Sequence, residues 1–146
     1  TVDDATLFLA RFENGALGSF EATRFAAGRK NGQRFEINGS KGSIVFNLER
    51  LNELEFYSTE EPEYAQGFKT IITTDQSHPY AANWWPAGHI IGYGESFVNM
   101  VADLLTSVAK GKNPSPDFYD GLRCQEVLDA VEESAKRKRW VKIKRH

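Results

Sequence analysis

The apolar residues of this chain recur at every second position before residue 74 and at every third or fourth position after Glu95. That change of period constrains the fold more than any other feature. Alternation suits a half-buried strand, whereas the longer step gives a helix one apolar face. Strands are predicted over residues 5–13, 16–25, 34–37, 43–47, 53–57 and 69–73, with the first run apolar enough to be covered on both faces. Asn14-Gly15 joins the first two, and this pair favours a type I′ hairpin because both central residues of that turn need positive φ.

Helices are predicted from Glu95, on Phe97, Val101, Leu104, Leu105 and Val108, and from Asp120 to about Lys138. Gly111 and Pro114 stop the first. Asp120 is the expected N-cap of the second, whose buried stripe would be Cys124, Val127, Leu128, Val131 and Ala135. Trp140-Val141-Lys142-Ile143 alternates again and predicts a last strand. Strands first and helices afterwards make the fold α+β, an open antiparallel β-sheet of about six strands with helices packed on one face.

A chain of 146 residues, 40% hydrophobic and 26% charged, can bury a core of its own and is one domain. No apolar run approaches the roughly 20 residues that span a bilayer. The single cysteine, Cys124, allows no internal disulfide, and a cytoplasmic location is expected. Thr1 opens the chain without a methionine and the first alternating run begins almost at once. This is how a piece cut from a longer protein would look, and a truncated C-terminal domain is the expectation.

Net charge is −2, which argues against a general pull toward nucleic acid or anionic lipid. Residues Lys136, Arg137, Lys138, Arg139, Lys142, Lys144 and Arg145 form a basic tail, but no nucleic-acid motif accompanies it. Helix-dipole complementation and a solvated edge explain it adequately.

No metal-ligand spacing and no Gly-x-Ser-x-Gly elbow is present. Gly92-Tyr93-Gly94 precedes a helix, but Phe97 stands at the third fingerprint position and no strand feeds it, so no dinucleotide site is expected. Gly39-Ser40-Lys41-Gly42 reads as a turn between strands rather than a nucleic-acid clamp.

The informative stretch runs from His78 to Phe97 and holds two tryptophans, two tyrosines, two histidines and two prolines. Paired aromatics beside a histidine suit a sugar, whose ring faces stack while its hydroxyls find polar partners. Trp84 and Trp85 are equally explained as plugs of a core or a subunit interface. His89 could orient or deprotonate a hydroxyl, or simply bond to backbone at a helix start. Arg24, expected within a strand, and the loop Arg29-Lys30-Asn31 put donors beside a sheet end, either to read a polar ligand or to solvate a hairpin tip.

The run from Phe12 to Arg24 (FENGALGSFEATR), followed by Glu36 to Ile44 (EINGSKGSI), resembles the C-terminal domain of the glucose–fructose oxidoreductase/inositol dehydrogenase (Gfo/Idh/MocA) family. The Asp120-Gly121 helix and the closing Trp140-Val141 fit the same pattern. So does His89-Ile90-Ile91-Gly92-Tyr93, which resembles a substrate-side loop of a sugar dehydrogenase branch.

The resemblance implies a two-domain parent enzyme. Its separate Rossmann domain would hold NAD or NADP, and hydride would pass from a sugar or polyol C–H to the nicotinamide as a base takes the hydroxyl proton. It also implies oligomers formed through the sheet. The family's catalytic lysine and its Asp/His pair have no counterpart in this sequence, so no catalytic residue and no cofactor ligand is assigned here. His89 at most lines the pocket. Candidate substrate residues are Arg24, Arg29, Lys30, Asn31, Trp84, Trp85, His89 and Tyr93. The expected partners are a sugar or polyol and at least one further copy of the chain, with no nucleic acid, membrane or metal. The rival expectation is a sheet-based protein-interaction module with no catalytic role.

Overall fold

A computed structural model describes residues 3–144; Thr1, Val2 and Arg145 of the sequence reading, with His146, lie outside them. Six strands, β1 (Ala5–Arg11), β2 (Leu17–Thr23), β3 (Arg34–Asn38), β4 (Gly42–Asn47), β5 (Glu53–Ser58) and β6 (Lys69–Ile72), precede α1 (Tyr93–Ala109) and α2 (Phe118–Arg137). The class is α+β and every strand pairing is antiparallel. The strands form two open sheets, a β1-β2 hairpin and a four-stranded sheet in the order β3-β4-β5-β6. Packing divides the chain into residues up to Ala27 with those from Thr106 onward, and Gly28–Leu105.

In the first unit, Phe8 lies opposite Phe20 and their rings stack at 4.7 Å. The turn differs from the expected type I′. Gly15 N–H donates to Phe12 O at 2.9 Å, Phe12 N–H to Ala16 O at 2.9 Å, and Gly15 takes φ +88°. This is a three-residue loop with glycine at its left-handed position, so Asn14 escapes positive φ and instead accepts from Ala16 N–H at 3.1 Å. The hairpin is half-buried on the Thr6, Phe8, Ala10 side, whereas Leu7 and Leu9 are exposed. The expected burial of both faces is therefore not met.

The N-cap of α2 is Asp117, three residues before the expected one. Asp117 Oδ1 accepts from Tyr119 N–H at 2.7 Å and Asp120 N–H at 3.2 Å, while Asp120 Oδ2 accepts from Asp117 N–H at 2.8 Å. Asp120 is thus the return half of a capping box, not the cap itself. Its buried side chain is Glu126, paired with Arg123, whose guanidinium stacks on Tyr119. Cys124, expected on the buried stripe, is exposed, because burial follows Arg123, Glu126 and Val127 instead. No strand forms at Trp140–Ile143. Trp140 lies 5.6 Å beneath the Arg11 guanidinium, a contact that an isolated indole makes without a ladder.

In the second unit the strand register sorts side chains into two faces, since a strand alternates with period two. Phe35, Ile37, Ile44, Phe46, Leu54, Phe56 and Ile71 share one face. Arg34, Glu36, Asn47, Glu53, Glu55 and Thr70 share the other, around Val45, which is 5% exposed. A groove of about 230 Å³ over Val45 is lined by Arg29, Arg34, Asn47, Arg50, Glu53 and Glu55, whose long stems cover it. Among the described residues no helix is long and apolar enough to cross a membrane.

Gly42 shows how tightly this register is set. A Cβ there would lie 2.2 Å from Tyr57 O across the β4-β5 pair, whereas one at Gly39 would sit 3.6 Å from Gly42 O. We expect Gly42→Ala to cost about 1–3 kcal/mol in a urea titration. Gly39→Ala should cost under about 1 kcal/mol.

Candidate functional site

Between β6 and α1 the chain runs twenty residues, Thr73–Gly92, with no strand of its own. Backbone groups in such a segment need partners from elsewhere. Asn52, in the turn before β5, supplies a pair: its Nδ2 donates to Ile91 O at 2.8 Å and its Oδ1 accepts from Ile91 N–H at 2.9 Å. Asn52 O also accepts from Thr73 N–H at 2.8 Å. Thr74, 4% exposed, offers Oγ1 to Gly88 N–H at 3.3 Å. Asp75 folds the first turn, accepting from both the N–H and the hydroxyl of Ser77, and these bonds hold its carboxyl below the ordinary range.

The helix side completes the frame. Trp84 Nε1–H donates to Asn99 Oδ1 at 3.1 Å, and the Tyr80 hydroxyl donates to Asp103 Oδ2 at 2.6 Å. That bond to a carboxylate raises the Tyr80 pKa. Glu95, Asn99, Asp103 and Ser107 are accordingly the half-buried side of α1, and its apolar stripe, with Phe97, Val101, Leu104 and Val108, is exposed.

His89 closes a β-turn from Pro86. Pro86 O accepts from His89 N–H at 3.2 Å and faces His89 Nδ1 at 2.8 Å, with Gly88 at φ +85° in the position that requires glycine. A carbonyl can only accept, so Nδ1 carries the proton and neutral His89 presents a lone pair at Nε2. Its ring is exposed, as are Trp85 (55%) and Tyr93 (57%), whose ring meets Phe97 edge-on at 5.1 Å.

The expected residues therefore fall into three sets. Trp84, Trp85, His89 and Tyr93 lie on or just beyond one tethered segment, with Trp84 turned to a framing bond. Arg29, Lys30 and Asn31 close on Glu49 in the same unit: Lys30 N–H donates at 2.8 Å, Asn31 N–H at 3.2 Å and Arg29 Nη1 at 3.2 Å. Arg24 belongs to the other unit. It sits one residue past β2 rather than within a strand, and its N–H donates to Asp4 O at 2.8 Å.

Asn52, Thr74, Glu49, Asn99 and Asp103 escaped the sequence reading. Nothing local marks a residue whose partner lies 39 positions away, although a threonine among turn residues that proves buried was a place to look. Among the described residues no group of three His, Cys, Asp or Glu could hold a metal ion. The basic tail pairs with α2, Arg137 with Glu133 at 3.0 Å and Lys136 with Glu132.

Residues 1–143 match the oxidoreductase family C-terminal alpha/beta domain of the Gfo/Idh/MocA group. The chain belongs to this family. Among the Gfo/Idh/MocA relatives, levoglucosan dehydrogenase of Pseudarthrobacter phenanthrenivorans is 43% identical over 143 residues, which are 97% of this chain and 36% of that protein. An oxidoreductase domain protein from Kribbella flavida superposes with a TM-score of 0.96 at 54% identity, over 99% of this chain and 38% of that one. Levoglucosan dehydrogenase in complex with NADH and levoglucosan gives a TM-score of 0.95 at 42% identity, over 99% of this chain and 40% of that one. The chain thus spans well under half the length of these relatives. The Gly92-Tyr93-Gly94 turn is not a dinucleotide fingerprint: turns rather than a strand lead into α1, and Phe97 occupies the position that needs a small residue.

Glu49 gives this site a pH signature. The Lys30 N–H bond, then that from Asn31, holds its carboxyl below the ordinary glutamate range. A depressed folded pKa contributes stability that is present above the unfolded value and lost as pH falls through the folded one. The Lys30 and Asn31 amide resonances should therefore move together at a midpoint below that of a free glutamate. In Glu49→Gln that transition should vanish.

Proposed function

We propose that this chain is the substrate-binding and oligomerisation domain of a cytoplasmic NAD(P)-dependent dehydrogenase acting on a sugar, anhydrosugar or polyol, and that it is inactive alone. The observation that carries the reading is likeness over nearly the whole chain to a levoglucosan dehydrogenase whose complex holds NADH and levoglucosan. In this reading NAD or NADP is held outside residues 1–146, in keeping with the lack of a fitting fingerprint here.

The chain's own contribution is recognition. Exposed Trp85 and Tyr93 offer ring faces to the apolar side of a sugar. His89 Nε2 accepts from a hydroxyl. Trp84 backs the segment through Asn99, Arg29, Lys30 and Asn31 are donors on a loop already closed by Glu49, and Arg24, in the other unit, is a donor proposed on its own. The test is turnover of levoglucosan and a panel of sugars and polyols by the complete gene product with NAD⁺ or NADP⁺. Reduced cofactor should form with at least one of them and none with the chain alone. His89→Ala and Trp85→Ala should each raise KM about tenfold or more, the scale of one lost contact. Absence of turnover across the panel would favour the interaction-module reading instead.

Oligomerisation follows from the same exposure. Leu7, Leu9 and Leu17 on the hairpin and the outward stripe of α1 are apolar surface that association would cover. Sedimentation should give a dimer or larger species, and a concentration-independent monomer would remove the oligomer from the proposal.

A further inference from the structure

We propose that Asn52 is a positioning residue for His89, holding the imidazole acceptor at a fixed place relative to the four-stranded sheet. The proposal rests on the sugar-site reading of His89 but is drawn from a separate set of contacts. His89 is exposed, and its ring is oriented through Pro86 O, a group of its own turn. A turn can orient a ring without fixing where the turn itself sits. Here that second task falls to two side chains beside strand ends of the four-stranded sheet. Thr74, two residues past β6, accepts from Gly88 N–H, and Asn52, in the turn before β5, takes both backbone groups of Ile91. The anchors therefore lie one residue before and two residues after His89.

The chemistry is specific to asparagine. A carboxamide offers one donor and one acceptor side by side, so it reproduces the two-bond pairing that a neighbouring strand residue would give. Aspartate keeps the acceptor but sets a charged oxygen against Ile91 O. Alanine leaves a part-buried N–H and C=O without partners, and glutamine moves the amide out by a methylene. Asn52 O meanwhile holds Thr73 N–H, so one residue joins the β5 turn, the end of β6 and the His89 turn. Supporting groups of this kind fix a binding side chain to within the tolerance that recognition needs.

The experiment uses the complete protein with Asn52→Ala, Asn52→Asp and the milder Thr74→Val, which removes only the Gly88 acceptor and serves if the first two fold poorly. The readouts are sugar KM and kcat and the relaxation of the His89 ring C–H resonances by NMR, which reports how firmly the imidazole is held without any sugar present. We expect a firmly held ring in the parent protein and a more mobile one in the variants, with the Nδ1–H tautomer kept in all of them because Pro86 O belongs to the same turn. KM should rise about tenfold with kcat within about twofold, since the lost interaction serves binding. In a His89→Ala background the same Asn52 substitution should add little further loss, because residues acting through one group are not additive.

Unchanged ring mobility and KM in both Asn52→Ala and Thr74→Val would overturn the proposal, as would a full further loss in the His89→Ala background. If His89→Ala itself leaves KM unchanged, the sugar-site reading fails on its own. The ring-mobility comparison would then still decide whether Asn52 holds the imidazole in place.

Discussion

Backbone polar groups must be paired wherever they leave water, and in this chain that demand falls most heavily on the connection between β6 and α1. It has no ladder, and among the described residues the fully buried apolar side chains are only Val45 and Ala81. A deep core is therefore not what holds the segment in place. Side-chain bonds from Asn52, Thr74 and Asp75 on one side and from Asn99 and Asp103 on the other do that work, and each has a donor matched to an acceptor. The tryptophans, the histidine and Tyr93 acquire defined positions as a consequence.

The same bonds explain why α1 is turned as it is. An amphipathic helix ordinarily directs its apolar stripe inward. Here the polar side is half-buried because Trp84 and Tyr80 need Asn99 and Asp103, and the stripe is left facing outward. The hairpin repeats the arrangement, with stacked Phe8 and Phe20 on its half-buried side and Leu7, Leu9 and Leu17 exposed.

Local signals were legible in the sequence and distant pairings were not. Alternation located all six strands to within a few residues, and the three- and four-residue step located both helices. Asn14-Gly15 marked the hairpin but not its form, since one glycine in the left-handed region satisfies the loop without forcing Asn14 there. Asp120 was noticed for the right chemistry and the wrong place, because a capping box has a carboxylate at each end and periodicity cannot say which leads. Cys124 looked buried by helical spacing, yet an Arg123–Glu126 pair occupies the covered side of α2. Trp140–Ile143 alternates but forms no ladder, and Trp140 meets β1 through the Arg11 guanidinium instead. At the candidate site the aromatic-rich segment announced itself by composition. Its supports did not, because Asn52 and Thr74 are ordinary turn residues until the fold brings them to Ile91 and Gly88.

The groove over Val45 carries one more implication. Its arginines are each already matched, Arg29 with Glu49, Arg34 with Glu36 and Arg50 with Glu53. With Glu55 added, the carboxylates Glu36, Glu49, Glu53 and Glu55 outnumber these arginines by one, and paired at such short range they leave only a weak negative potential beyond the first layers of water. A phosphorylated or acidic solute would find nothing there to draw it in, and an uncharged one nothing to repel it. Encounters with this face should accordingly be governed by diffusion and shape, and adding salt should hardly change their rate.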